Sequence, residues 1–130
     1  MALTLPPGDC AMTMIATLQE VVLDIHNPRE PYKFIVAQIT DGRGGNKLVV
    51  RAHSVNDLPL HADIYNVLQR QVRQHGLNAR CIGGGRLEFF PDHKFIRIKG
   101  SSDEFGVEPD RQETLRVLRE AFPEFRVVSE

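Results

Sequence analysis

Hydrophobic and polar positions alternate with two different periods along this chain, and the changes of period mark its elements. A short β-branched run at 21–25 stops at Asn27 and Pro28. Residues 32–40 form a longer run, mostly apolar but interrupted by Lys33, with the composition of a central strand. Asp41, Gly42, Arg43, Gly44, Gly45 and Asn46 make a flexible turn into another strand-like run at 47–53, and the pair predicts a hairpin.

After Leu58 and Pro59 the period lengthens. Ile64, Val67, Leu68 and Val72 fall at helical spacing and Gly76 supplies a stop, which predicts a helix over 62–75. Strand-like runs at 78–82 and 86–90 flank Gly83, Gly84 and Gly85. A turn at 91–94 leads to 95–99, where apolar and basic residues alternate. Beyond a polar loop at 100–106, Asp110 and Glu113 have the spacing of a capping box, and Leu115, Leu118, Ala121 and Phe122 predict the buried stripe of a second helix ended by Pro123. A last strand is predicted at 125–128. Most links between neighbouring strands are short, which suits antiparallel pairing and forbids parallel pairing. The expected class is α+β: one mostly antiparallel or mixed sheet of about six strands with two packed helices.

Composition narrows the setting. A length of 130 residues suits one domain with a core of its own. Residues 1–19 carry a Pro-Pro-Gly break and only Asp9 as a charged side chain, so they are expected to form a partly disordered arm ahead of a domain at 20–130. With 16 Lys+Arg against 17 Asp+Glu, the chain lacks the positive field of a general nucleic-acid binder. No apolar run approaches the roughly 20 residues of a bilayer span, so no membrane partner is expected. Cys10 and Cys81 lie far apart, and both are expected as free thiols in a reducing, cytoplasmic compartment.

Several familiar chemistries are excluded by spacing. Cys81 and Arg86 bracket only four residues between two strands, whereas a cysteine-phosphatase loop needs five and a helix N-terminus. No Lys-Ser/Thr pair follows the three glycines, so they are not a Walker loop. His26, His53, His61, His75 and His93 show neither HExxH nor paired ligand spacing, and no metal site is expected. The serines lack a G-x-S-x-G context. His61 differs, because it stands at the start of the first predicted helix. That end of a helix disfavours imidazolium and attracts anions, so a neutral ring there can serve as base or nucleophile, although an exposed capping histidine has the same spacing. Lys33, Arg51, Arg86, Arg97 and Lys99 are basic positions on predicted strands.

Three segments carry a resemblance: Tyr32, Lys33, Phe34 and Ile35; His61, Ala62, Asp63, Ile64 and Tyr65; and Cys81, Ile82, Gly83, Gly84, Gly85 and Arg86. In this order the chain resembles the protein histidine phosphatase (Janus) family over about residues 21–128. The resemblance implies a sheet of six or so strands with two helices, and a metal- and cofactor-free phosphatase acting on phosphohistidine, with some action on phospholysine. It assigns His61 as the catalytic histidine, Lys33 as the active-site lysine and Arg86 as the arginine closing the triple-glycine motif. Arg51 corresponds to a further active-site arginine, with a gap to the histidine two residues longer than in the family. Residues 100–106 correspond to a phosphate-cradling loop, in which backbone N–H groups of Ser102 and Glu104, with that of Ala62, bind phosphoryl oxygens. Leu60 stands where an aromatic is common, and Asp103 and Glu104 where the family carries Met and Ala.

The sequence therefore leads to a phosphatase acting as a monomer on a phosphohistidine-bearing protein. The two loop acids are expected to repel bare phosphate and favour basic peptides. The alternative they motivate is a catalytically weak phosphate- or phosphopeptide-binding module.

Overall fold

The computed structural model describes residues 15–27 and 30–130. Its elements run β1 (Val21–Asp24), β2 (Tyr32–Thr40), β3 (Asn46–Ser54), α1 (His61–Arg73), β4 (Asn78–Phe90), β5 (Phe95–Lys99), α2 (Arg111–Ala121) and β6 (Arg126–Ser129), with a 3-10 turn at Pro91–His93. The strands form one sheet in the order β1-β3-β2-β4-β5-β6. The inner pairings β3–β2, β2–β4 and β4–β5 are antiparallel, and the two edge pairings, β1–β3 and β5–β6, are parallel. This is the expected α+β class. No helix among the described residues is long and apolar enough to cross a membrane.

The apolar run of β2 reflects burial on both faces. Ile35, Ala37 and Ile39 pack with Ile64, Leu68 and Val72 of α1, while Phe34 and Val36 pack with Leu115 and Leu118 of α2. The helices thus cover opposite faces. Alternation along the strand puts Lys33 on the α1 face, at the end of β2. The β2–β3 hairpin turns as predicted, with the Asp41 carboxylate accepting from the N–H groups of Arg43 (2.7 Å) and Gly45 (2.9 Å).

The structure departs from the sequence reading in three places. First, residues 78–82 and 86–90 are one strand, not two, because the glycines between them lie in the sheet. Gly83, Gly84 and Gly85 pair with Val36, Ile35 and Phe34, and a register shift beside Val36 bends the strand. Their lack of side chains permits close approach. A Cβ on Gly83 would lie 2.1 Å from the Glu108 backbone nitrogen, one on Gly84 2.3 Å from the Phe34 carbonyl oxygen, and one on Gly85 2.4 Å from the Lys99 carbonyl oxygen. Second, α1 begins at His61 and ends at Arg73, where Gly76 at φ +74° lets the Leu77 N–H return to the Val72 carbonyl (3.1 Å).

Third, the capping of α2 is one-sided. The Asp110 carboxylate accepts from the Glu113 N–H at 3.2 Å, but the Glu113 side chain turns to Arg116 instead. The buried positions of α2 are Thr114, Leu115, Val117 and Leu118, while Ala121 is exposed. Residues 15–19, at the end of the expected arm, lie against the domain. Ile15 is buried in the α1-side core, and Lys47 donates to the carbonyls of Ala16 (3.1 Å) and Leu18 (2.9 Å). The remainder of the arm, residues 1–14 with Cys10, lies outside the described residues.

The glycine contacts make a direct prediction. Gly83→Ala should destabilise the fold by about 1–3 kcal/mol, because its Cβ meets backbone that must shift rather than a flexible side-chain end. Arg80→Ala, exposed on the same strand, should stay within about 0.5 kcal/mol of wild type in urea unfolding. Equal midpoints for the two variants would show that the strand has room at Gly83.

Candidate functional site

His61 is the first residue of α1, and its side chain is only 4% exposed. Three neighbours hold the ring. Gly84 leaves room for it, since a Cβ there would come within 3.2 Å of the ring Cδ2. The Gly85 carbonyl lies 2.9 Å from Nε2. A carbonyl can only accept, so Nε2 carries the hydrogen and the neutral ring keeps its lone pair on Nδ1. Nδ1 in turn lies 3.7 Å from Oε2 of Glu104.

The helix terminus explains why Glu104 stands there. Leu60, at the N-cap, has no side-chain acceptor for the first turn of α1. Asp63 reaches back to the Leu60 N–H (3.0 Å), and the Glu104 carboxylate lies near enough to the Ala62 N–H for that group to favour its ionised form. Oε2 of Glu104 also accepts from the Ser102 hydroxyl at 3.2 Å. Partial burial pulls the Glu104 carboxyl upward, but its own backbone N–H, the Ser102 hydroxyl and the Ala62 backbone outweigh that and hold it below the usual carboxylate value. Asp103, by contrast, is exposed.

The loop presenting these groups is tightly built. Ser102 and Gly106 bridge through both backbone pairs (3.0 and 2.8 Å), so the Ser102 N–H expected to face phosphate is engaged with Gly106. The Ser102 hydroxyl accepts from the N–H groups of Glu104 (3.2 Å) and Phe105 (3.1 Å). Phe105 meets Tyr65 of α1 edge to face, with ring centroids 5.6 Å apart.

Behind the loop lies a polar network that the sequence reading missed. Glu108 is buried and accepts from the Thr114 hydroxyl (2.6 Å) and from Arg111 (2.8 Å). Arg111 also donates to the carbonyls of Gly100 (2.7 Å) and Gly84 (2.9 Å), joining the loop, β4 and α2. The Glu-x-x-Arg spacing was visible, but nothing in it signalled burial.

Lys33, Arg86 and Lys99 form a cationic row in register across β2, β4 and β5. The Lys33 ammonium donates to the Pro59 carbonyl at 2.7 Å, two residues ahead of His61. Lys99 lies 3.3 Å from Glu88. Arg86 is exposed and has no side-chain hydrogen bond or ion pair among the described residues. An open groove of about 700 Å³ borders Arg86 and Lys99.

Arg51 is not part of this assembly. Its buried guanidinium donates to the carbonyls of Gln19 (2.8 Å), Val50 (2.9 Å) and Glu20 (3.2 Å), fastening the incoming chain to β3. Burial lowers it to about 10, so it remains a cation at neutral pH. Elsewhere, Asp24, His26 and Asp57 place donor atoms within 4.8 Å of one another, a grouping that linear spacing concealed. Contacts of the Asp24 carboxylate with the rings of His26 (2.9 Å) and His53 (3.3 Å) already account for it.

The sequence profile of the Janus/Ocnus family matches residues 17–126. The chain is 33% identical over 101 residues to sex-regulated protein janus-A of Drosophila orena, covering 78% of this chain and 73% of that one. Over 74% of this chain and 66% of the relative it is 35% identical to janus-A of Drosophila pseudoobscura pseudoobscura. Over 63 residues, 48% of each chain, it is 32% identical to the 14 kDa phosphohistidine phosphatase of Sus scrofa.

Cys81 offers a check on the thiolate alternative. Burial pushes its thiol up to about 11, outweighing the Gly83 backbone interaction that favours the thiolate. A value raised this far leaves about one thiol in four thousand ionised at pH 7.4. In a Cys10→Ser background, iodoacetamide should therefore react slowly at neutral pH, with the rate climbing roughly tenfold per pH unit toward pH 11. Rapid alkylation at pH 7 in folded protein would contradict this setting.

Proposed function

This chain belongs to the Janus/Ocnus family, and from that premise we propose that it is a metal-independent protein phosphatase that hydrolyses phosphohistidine. The observation that carries the reading is the setting of His61: Nε2 committed to the Gly85 carbonyl, and Nδ1 left beside the N-terminus of α1, 3.7 Å from a carboxylate that the Ser102 hydroxyl binds. The Ser102 hydroxyl already holds that carboxylate and the Ala62 N–H favours its ionised form, so the two can hold an anion. The partial likeness to a phosphohistidine phosphatase supports this reaction class.

The P–N bond is labile, so positioning and charge stabilisation supply most of what is needed. In one route the Nδ1 lone pair attacks phosphorus. A P–N bond to His61 forms as the substrate's P–N bond breaks, the departing imidazole takes a proton from solvent, and water then releases inorganic phosphate. In the other, Nδ1 takes a proton from an attacking water. Lys33 and Arg86 would stabilise the developing charge in either. A second reading, a phosphate-binding module with little turnover, draws on the acidic side chain of Glu104 beside His61.

His61→Ala should lower kcat on a phosphohistidine peptide by about 100-fold or more, assayed with EDTA present. Circular dichroism of the variant should match wild type. Folded His61→Ala retaining a tenth of wild-type activity would remove the assigned role, and a wild type without turnover would leave the binding module. Cys81→Ser should stay active.

Lys33→Ala and Arg86→Ala should each weaken inhibition by inorganic phosphate, roughly 10- to 150-fold, by removing a charge-assisted contact. Arg51→Ala should leave that inhibition constant unchanged, because its guanidinium binds backbone carbonyls. Identical constants for all three variants would place the row outside the site.

A further inference from the structure

Glu104 stands where the proposed phosphoryl group would have to bind. Its carboxylate meets the Ser102 hydroxyl at 3.2 Å, His61 Nδ1 at 3.7 Å and the Ala62 N–H at the terminus of α1. The His61 side chain is 4% exposed and that of Glu104 is 32% exposed, so the ring is buried where its neighbouring carboxylate still meets solvent. We propose that Glu104 is the specificity-determining residue of this site: its carboxylate is a resident anion in the cradle, and a substrate gains access to Nδ1 only by displacing it. This rests on the reading of the cradle as a phosphoryl site and adds to it the nature of the competitor.

The inference follows from local chemistry. An N-cap leucine leaves the first turn of α1 without a side-chain acceptor, and the loop supplies one from a distance. The loop is closed by the Ser102–Gly106 bridge and pinned by Phe105 on Tyr65, so Glu104 is delivered by an ordered backbone. Displacement then needs side-chain rotation, not loop opening. A phosphoryl dianion, with more charge and more acceptor oxygens than a carboxylate, is suited to compete for these donors. A displaced Glu104 also leaves a negative charge at the rim, which favours phosphoryl groups carried beside basic residues. Asp103, one residue away and exposed, provides the same charge without the same position.

The test is the binding of inorganic phosphate to wild type, Glu104→Ala, Glu104→Gln and Asp103→Asn by titration calorimetry, with melting temperatures measured with and without phosphate. If the carboxylate fills the cradle in about 90–99% of molecules, its removal tightens phosphate binding by about 10- to 100-fold. Glu104→Ala should show that gain, together with a lower melting temperature in buffer and a larger rise on adding phosphate. Glu104→Gln, nearly isosteric and uncharged, should show a smaller gain and keeps the test valid if the alanine variant folds poorly. Asp103→Asn should change affinity less than about threefold, as a solvent-screened charge does. A purely structural cap would lose stability without gaining affinity.

Wild type that binds phosphate, with neither Glu104 variant binding tighter, overturns the inference and leaves the proposed function standing. An equal gain in Asp103→Asn overturns it in favour of general charge repulsion. Absence of phosphate binding in all four folded proteins overturns both the inference and the anion-site reading on which it rests.

Discussion

The arrangement depends on three consecutive residues without side chains in the middle of a buried strand. At Gly83 the backbone of Glu108 comes closer than any Cβ allows, at Gly84 the ring of His61 lies alongside, and at Gly85 the backbone meets Lys99. Each approach is one a Cβ would force apart, and together they bring the first turn of α1, the 100–106 loop and the entry to α2 to one stretch of β4. The Gly85 carbonyl then selects the tautomer of His61. One stretch of bare backbone sets both the position of the imidazole and the identity of its free nitrogen.

That close approach is held by a buried ion pair. Arg111 and Glu108 satisfy each other and also bind Thr114, Gly100 and Gly84, so the charges leave water with their hydrogen-bonding groups occupied. Such pairs are costly to break from one side, because the remaining partner is left buried and unmatched. Here the pair joins the elements that carry the site, away from Nδ1. The cations facing outward are of another kind. Arg86 is free among the described residues and Lys33 is held only by a carbonyl, which leaves both charges for an external anion.

The same helix terminus serves structure and chemistry. Its N–H groups need an acceptor, and a carboxylate serving them beside His61 would also occupy the proposed anion position next to Nδ1. Supplying a carboxylate from the loop meets the first need and creates competition for the second. Stability and access to His61 are therefore coupled through one side chain.

The elements were legible where a local pattern determines them: the β2–β3 hairpin from its glycine-rich turn, α1 from Ile64, Leu68 and Val72 with Gly76 after it, and the cap at Asp110. His61 stood out by its place at a helix start and Lys33 by interrupting an apolar strand, whereas Arg86 was singled out by the family resemblance. What the chain alone misplaced depends on distant neighbours. Three glycines read as a break between two strands, since propensity scores flexibility and is blind to the backbone packed against them. Arg51 looked like its counterparts in the cationic row until three carbonyls took up its guanidinium. Nor does sequence say whether an acid in a loop points outward, as at Asp103, or inward, as at Glu104. That choice belongs to tertiary structure, because only there do a loop carboxylate and an uncapped helix terminus some forty residues earlier in the chain come within hydrogen-bonding reach.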